Sequence, residues 1–179
     1  GTLDAIGGIT SDTGLAKIIA TLSNPKAGKI MVNDQYEAVA AWPVGSMYAF
    51  VSDKNINTVA DFSGKKISIL NEDPQILKLA NMVGASPVGT SLATFSGQFN
   101  NGNIDILFMP ALAYNTFELY HGLGTKGGIL DFQMYYGMLQ TITRKDQWPA
   151  DFGNKMRKYI VGRLKAINKL VADAEKEIP

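Results

Sequence analysis

Residues 66–110 read KISILNEDPQILKLANMVGASPVGTSLATFSGQFNNGNIDILFMP, and this stretch decides the fold. It alternates short apolar runs typical of strands with longer segments of helical spacing. The predicted strands are 66–70, 86–88 and 104–109. The predicted helix starts are Asp73-Pro74, Ser91 and Pro110. Strand–helix repeats of this length favour right-handed crossovers, so the sequence predicts an α/β fold with a mainly parallel sheet flanked by helices.

The segments on either side extend this pattern. A strand is predicted at 46–51, an extended stretch at 129–143, and helices at 14–22 and about 150–177. The last helix is expected to bury one apolar side and to keep its lysines and arginines on the other. That apolar side is Phe152, Met156, Tyr159, Ile160, Leu164, Ile167, Leu170 and Val171.

Composition excludes several function classes. The 179 residues are 46% hydrophobic and 18% charged, with a formal net charge of +1. These values are typical of a globular protein and give no reason to expect nucleic acid or an anionic membrane as partner. The sequence contains no cysteine, which excludes disulfides, thiolate catalysis and cysteine-based zinc sites. The first residues lack a signal-peptide pattern, so we expect the chain to begin after processing or within a longer protein.

The sequence contains no recognisable set of catalytic residues. The one histidine, His121, falls at a predicted helix end, where it complements the helix dipole. Carboxylates are scattered, and the adjacent Glu72 and Asp73 need only a capping role. We therefore predict no enzyme activity, no metal site and no cofactor.

Residues 122–127 fit a nucleotide-binding motif in their letters but not in their predicted structural context. Residues 122–127 read GLGTKG, which satisfies G-x-G-x-x-G. A dinucleotide fingerprint follows a strand and opens a helix, so that the pyrophosphate meets the helix N-terminus. Here the run follows a predicted helix and precedes an extended segment. We interpret it as a flexible connection.

Aromatic and methionine side chains are concentrated in the strands and extended segments: Trp42, Tyr48, Phe50, Phe108, Met109, Tyr135, Tyr136 and Met138. Each could simply pack in the core, but tyrosine and tryptophan also combine an apolar face with a polar group, which suits a pocket wall. Ligands of such sheets bind beyond the carboxyl ends of the strands. The predicted ligand-binding residues are Tyr48, Ser68, Asn71, Phe108, Met109, Gln133, Tyr135 and Tyr136.

A family resemblance adds to this interpretation. Residues 56–67, INTVADFSGKKI, resemble the "I-x-T-x-x-D-hydrophobic-x-G-K-K-I" segment of the solute receptors of TRAP-type transporters. Four further matches occur in the family's order. They are Gly1-Thr2-Leu3-Asp4, the GASPV run at 84–88, the NGNID run with the following Pro110, and Lys145 with Trp148-Pro149. The chain is most similar to the AdeT-like group of solute-binding proteins.

The resemblance implies periplasmic-binding-protein-like lobes that close on a small-molecule ligand, with a membrane permease as partner and a periplasmic location. It implies a partial first lobe at 1–45, a second lobe at 46–112, and a hinge return strand with a C-terminal helix at 113–179. The chain is shorter than these receptors, so the first lobe is expected to be incomplete. Exposed sheet edges would then favour a homodimer or strand exchange.

Two departures from the family concern the ligand. Most TRAP receptors carry an arginine just after G-K-K-I that clamps a carboxylate, whereas this chain has Ser68. The return strand carries Leu107, Phe108 and Met109 where the family has polar residues. We therefore expect an apolar or aromatic ligand. The alternative is an accessory or interaction protein that binds no ligand and is associated with an efflux system.

Overall fold

The structure is a computed structural model that describes residues 7–70 and 73–179. Two compact units are present. Unit 1 comprises the described residues up to Gly45 together with Tyr135–Ala174, and unit 2 comprises Ser46–Met134 with Glu175–Pro179. Among the described residues, no helix combines the length and apolar character needed to cross a membrane. The lobe boundaries expected from the resemblance stay a prediction.

Strands and helices alternate along the chain. The strands are β1 Tyr36–Val51, β2 Lys66–Leu70, β3 Ser86–Thr90, β4 Ile106–Pro110, β5 Gly128–Ile129 and β6 Tyr135–Arg144. The helices are α1 Asp12–Leu22, α2 Pro74–Met82, α3 Phe95–Asn100, α4 Ala113–Thr116, α5 Tyr120–Leu123 and α6 Phe152–Glu177. Short 3-10 turns lie at Pro25–Lys29, Val59–Phe62 and Lys145–Gln147.

The sheet of unit 2 confirms the α/β prediction. Its strand order is β3-β2-β4-β1-β5. Strand β2 runs parallel to β3 and β4, as the 66–110 pattern predicts, and Ile67 pairs with Ile106. Strand β1 runs antiparallel to β4 and β5. The sheet is therefore parallel in the three strands joined by crossovers and antiparallel at β1.

Helix α2 shows why residues 73–84 fold as they do. Asp73 caps it by accepting hydrogen bonds from the backbone N–H groups of Gln75 and Ile76, at 3.0 and 3.2 Å. Pro74 occupies the first helical position. Gly84 adopts a φ of +69° directly after the helix, a conformation that favours glycine. The predicted start and end are confirmed.

Helix α2 covers one face of the unit 2 sheet. Its Ile76 and Ala80 belong to a core cluster with the alternate strand residues Ile67, Ile69, Ile106, Phe108, Ala49 and Val51. Because successive strand side chains point to opposite faces, Ser68, Met109 and Tyr48 lie on the other face. Elsewhere in unit 2, α4 packs against β4 and α3 packs against α5.

Unit 1 is built on β6 and the part of β1 that precedes Ser46. Helix α1 packs on β6, and Leu15, Ile19 and Tyr136 form the core with Ile9. The backbone N–H of Tyr136 donates to the carbonyl of Ile9 at 3.2 Å. Leu164 of α6 packs against this cluster.

Three local predictions are wrong. The helix expected at Ser91 begins at Phe95, because the Thr94 hydroxyl accepts a hydrogen bond from Ser91 N–H and closes a turn that leaves Leu92 70% exposed. Pro110 ends β4 and does not start a helix. The helix expected there is divided into α4 and α5, and Glu118 between them has a φ of +54°.

The prediction for α6 is wrong in part. Ile160 and Val171 are buried as expected, but Tyr159 and Leu170 are 55% and 63% exposed. Arg157, which was expected on the solvent side, is only 3% exposed. Its guanidinium finds partners inside unit 1, which a pattern of apolar residues does not reveal.

Candidate functional site

Three predicted ligand-binding residues come together at the carboxyl edge of the parallel strands in unit 2. Tyr48 pairs with Met109 across β1 and β4, one residue before β4 ends. Gln133 Nε2 donates to the Tyr48 hydroxyl at 3.4 Å. Tyr48 and Met109 are 8% and 5% exposed. Tyr48 and Met109 are thus buried, while Gln133 is exposed, and together they form a wall with one phenol, one thioether and one amide.

Ser68 lies on the same face of the sheet and is engaged in a closed hydroxyl pair. Its Oγ is 2.8 Å from Oγ1 of Thr90, and Thr90 Oγ1 donates to the carbonyl of Ile69 at 3.2 Å. A hydroxyl has one proton, so when Thr90 donates to the Ile69 carbonyl, Ser68 is the donor between the two hydroxyls. Both residues are buried. The position where the resemblance implies an arginine therefore holds a neutral, internally satisfied pair.

Phe108, another predicted ligand-binding residue, does not lie on this face. Phe108 belongs to the core cluster on the opposite face, where its ring lies 6.3 Å from that of Phe62. Tyr135 and Tyr136 belong to unit 1, and Tyr136 is part of its core. Asn71 lies outside the described residues, as do Glu72 and the Gly1-Thr2-Leu3-Asp4 match. Their binding roles stay predictions.

The G-x-G-x-x-G run is explained by packing. A Cβ on Gly122 would overlap the Phe99 ring, and one on Gly127 would lie 2.5 Å from the carbonyl oxygen of Val51. Gly124 follows α5 with a φ of +52°. Each glycine is needed for a close approach or a turn. The run begins in the last residues of α5 and ends directly before β5, the reverse of the nucleotide-binding order.

The 56–67 motif also has a structural reason. One oxygen of Asp61, Oδ2, accepts hydrogen bonds from the Thr58 hydroxyl and the Thr58 N–H, both at 2.8 Å, and from Asn57 N–H at 3.2 Å. The Thr58 hydroxyl is the main cause that lowers the pKa of Asp61 below its ordinary value. Thr58 and Asp61 thus hold the turn that leads into β2, and a binding role is not needed to explain them.

The positions of the potential metal ligands and of the one histidine can be compared with the sequence. No three histidine, aspartate or glutamate side chains there come close enough together to hold a metal ion. His121 lies in the last turn of α5, with its ring 4.6 Å from that of Tyr120. These positions agree with a surface and helix-end role for the histidine.

Unit 1 contains a cavity of about 230 Å³ that no sequence pattern predicts. Its walls are formed by helix α1, by helix α6, and by Pro43 and Gly45 of strand β1. The lining residues are Asp12, Leu15, Ala16, Ile19, Pro43, Gly45, Leu164, Asn168 and Val171. The two helical stripes were visible in the sequence, but only the fold shows that they face each other without filling the space between them.

Comparison with known proteins gives the family. The family model described as solute-binding protein AdeT 1/2 matches residues 1–179. Probable solute-binding protein AdeT1 of Acinetobacter baumannii is 38% identical over all 179 residues. AdeT2 of the same organism is 28% identical over the same span. The chain covers 59% of the AdeT1 length and 75% of the AdeT2 length.

Solved structures of TRAP periplasmic solute-binding proteins share the fold. The protein from Citrobacter koseri with bound D-glucuronate has a TM-score of 0.77 at 14% identity, over 98% of this chain and 59% of that one. The protein from Desulfovibrio salexigens with bound orotic acid has a TM-score of 0.75 at 15% identity, over 94% and 54%. The ectoine-binding protein of Halomonas elongata has a TM-score of 0.72 at 14% identity, over 93% and 55%.

The chain thus spans little more than half the length of these solved receptors. Its α/β fold confirms the resemblance noted in the sequence, and its whole length matches one family model. The chain belongs to the AdeT 1/2 family of solute-binding proteins.

Proposed function

We propose that this chain contributes the ligand-contacting part of a periplasmic receptor that binds a neutral apolar or aromatic solute and delivers it to a membrane permease. The observation that carries the ligand class is the Ser68–Thr90 pair. It puts two buried, mutually satisfied hydroxyls where the resemblance implies a carboxylate-clamping arginine. A carboxylate brought there would lose its hydration without gaining a cation.

The wall formed by Tyr48, Met109 and Gln133 supports an aromatic or aliphatic ligand. A phenol ring and a thioether offer polarisable apolar surface, and sulfur–aromatic contacts are favourable. The Gln133 amide and the Tyr48 hydroxyl supply polar atoms that could orient one polar group of the ligand. None of these three side chains carries a charge.

A periplasmic location and a permease partner are proposed from the relatives. The solved proteins of this fold are periplasmic receptors, and those cited bind D-glucuronate, orotic acid and ectoine. Solute receptors bind their ligand without altering it, so the proposed function involves no catalysis. Since the chain spans 59% of AdeT1, the delivery step is proposed for the whole protein.

A thermal-shift screen tests the ligand class. Neutral aromatic solutes and D-glucuronate are compared at matched concentrations. A ligand at 100 times its dissociation constant adds about 2.7 kcal/mol to the free energy of unfolding. We expect stabilisation by neutral aromatics, and stronger stabilisation by D-glucuronate than by any neutral solute would contradict the proposal.

Variants then place the ligand in unit 2. Met109→Ala is expected to abolish the ligand-induced shift, relative to its own unliganded melting temperature. Met82→Ala is the matched control, because Met82 is 76% exposed and lies on α2. A ligand shift that survives in Met109→Ala would place the ligand elsewhere.

The second candidate function, an accessory protein that binds partners and no solute, is favoured by an exposed apolar groove in unit 1. The residues that line the groove are Ile30, Met31, Val32, Asn33, Tyr36, Ala38, Gln140 and Ile142. Ile30 and Ile142 are 74% and 60% exposed. Tyr136, Met138 and Ile142 lie on the same face of β6. Helix α1 packs over Tyr136 and Met138 and leaves Ile142 exposed.

A second copy of the chain is the proposed occupant of this groove, and an efflux component is the proposed partner of the assembled protein. Light scattering after size exclusion tests the homodimer. We expect a dimer that Ile142→Lys converts to a monomer, while Leu170→Lys, at a 63% exposed site of α6, leaves it intact. A monomeric parent protein would contradict the homodimer and with it this candidate.

A further inference from the structure

We propose that the cavity of unit 1 is a second binding site, specific for a small primary ammonium compound with an apolar body. This inference goes beyond the proposed function, because it concerns other residues, another unit and a ligand of another charge. The cavity measures about 230 Å³. An engineered cavity of about 150 Å³ lined by apolar side chains holds a benzene molecule, so a benzene-sized group fits here.

The floor of the cavity is apolar and fixed. Leu15 and Ile19 of α1 are 2% and 1% exposed, and Val171 of α6 is 7% exposed. Gly45 adds no side chain to the wall, and its φ of +90° is a conformation that other residues rarely adopt. The floor therefore favours an apolar group and disfavours an isolated ion or water molecule.

The mouth of the cavity carries two polar side chains. Asp12 lies one turn before Leu15 and Ala16 on α1, and Asn168 lies one turn after Leu164 on α6. Neither side chain makes a hydrogen bond or ion pair with any residue that the structure describes. The capping role at the start of α1 is filled by Ser11, whose Oγ accepts from Gly14 N–H at 3.1 Å. The Asp12 carboxylate thus does not cap the helix, and its charge in the first turn favours the helix dipole without using a hydrogen bond.

The chemistry of the mouth selects a cation. A carboxylate accepts hydrogen bonds and carries negative charge, and the oxygen of the Asn168 amide is a second acceptor. A primary ammonium has three N–H donors, and its charge-assisted bonds are stronger than neutral ones. An apolar body in the floor with an ammonium at the mouth satisfies both parts of the cavity. A carboxylate ligand would be repelled by Asp12.

Benzylamine and its neutral isostere benzyl alcohol test this site. Binding is followed by NMR, with ¹³C-labelled methyl groups of Leu15, Ile19, Leu164 and Val171 as reporters. We expect benzylamine to shift these signals with a dissociation constant of about 1 mM, a magnitude suited to so small a ligand. Benzyl alcohol should bind about tenfold more weakly.

Two variants and one control locate the contacts. Asp12→Asn should weaken benzylamine about tenfold and leave benzyl alcohol unchanged. Ala16→Phe should fill the cavity and abolish binding of both probes. Asp34→Asn removes the same charge from an exposed site of unit 1 that does not line the cavity, and it should leave both affinities unchanged.

Several outcomes would refute the binding site in unit 1 and leave the proposed solute site of unit 2 untouched. Equal affinities for the amine and the alcohol, equal effects of Asp12→Asn and Asp34→Asn, or methyl signals that do not move at about 10 mM probe would each refute it. Met109→Ala, which tests the unit 2 ligand, should leave benzylamine binding intact. Loss of benzylamine binding in Met109→Ala would show that the amine occupies the proposed solute site, which refutes a second site.

Discussion

Nη2 of Arg157 lies 2.8 Å from Oε1 of Glu37 and joins α6 to β1 inside unit 1. The same guanidinium donates to the carbonyl of Ala38 at 3.0 Å and to the side chain of Asn154 at 2.8 Å. The Arg157 side chain is 3% exposed and that of Glu37 is 20% exposed. A Cβ on Gly153 would lie against the Glu37 carboxylate, so glycine at this position lets the helix approach the pair.

Glu37→Gln is expected to destabilise the protein by about 2–4 kcal/mol, because it leaves a buried guanidinium without its counter-charge. The free energy of unfolding is measured by urea denaturation. Arg157→Met, which removes the charge and keeps an apolar chain, should cost less than Glu37→Gln, since burying an unpaired charge is the larger penalty.

The control for this pair is the exposed i,i+4 ion pair between Lys155 of α6 and Asp151, the residue directly before that helix. Replacing Asp151 with Asn should move the urea midpoint little, because exposed pairs are solvated. Equal effects of Glu37→Gln and Asp151→Asn would show that burial does not decide the strength of the Arg157 pair.

The hydroxyl pair in unit 2 predicts an asymmetry between two variants. Ser68→Ala removes a donor and leaves Thr90 bonded to the carbonyl of Ile69, so it should cost less than about 1 kcal/mol. Thr90→Val removes the partner of the buried Ser68 hydroxyl and should cost about 1–3 kcal/mol. The urea midpoints of both variants give these values.

The double variant Ser68→Ala with Thr90→Val separates this explanation from simple loss of packing. It should be more stable than Thr90→Val alone, because no unsatisfied hydroxyl remains. Additive losses would contradict the donor assignment within the pair.

The α/β fold could be predicted because residues 66–110 repeat a local pattern that needs no distant partner to be recognised. Asp73-Pro74 and Gly84 mark the ends of α2 by local chemistry alone. Arg157 could not be placed, since its burial depends on Glu37, 120 residues earlier in the chain. The cavity of unit 1 was hidden for the same reason, because α1 and α6 lie far apart in the sequence.

The candidate site was predicted only in part. The sequence placed Tyr48, Met109 and Phe108 together as aromatic and sulfur-containing strand residues. In the structure Tyr48 pairs with Met109, so these two side chains share one face of the sheet. Phe108 precedes Met109 in the strand and therefore points to the opposite face. Register is a property of two strands, and the spacing within one strand does not determine it.

Asp61 should titrate below its ordinary pKa of 3.8, as measured by NMR of its side-chain carboxyl. Because the folded pKa is lowered, the stabilising contribution is present above the ordinary value and is lost as the pH falls through the lowered one. Thr58→Ala removes the main cause and should raise the pKa toward 3.8. The remaining backbone N–H bonds from Thr58 and Asn57 should keep it from rising fully.

Thr21→Ala is the control, because the Thr21 hydroxyl donates to the carbonyl of Lys17 in α1 and does not meet Asp61. It should leave the Asp61 titration unchanged. An Asp61 pKa at or above 3.8 in the parent protein would show that the turn does not depend on these hydrogen bonds.

Gly122→Ala and Gly97→Ala form a matched pair that tests why the G-x-G-x-x-G run has its glycines. The added methyl group at position 122 would overlap the ring of Phe99. Because that ring is fully buried, it has no solvent to move into. Overpacking of this kind costs about 1–3 kcal/mol. Gly97 is exposed on α3 with no atom near the added methyl group, so alanine there should be neutral or stabilise by up to about 1 kcal/mol. Thermal unfolding measures both variants, and equal stability of the two would mean that Gly122 is retained for a reason other than its contact with Phe99.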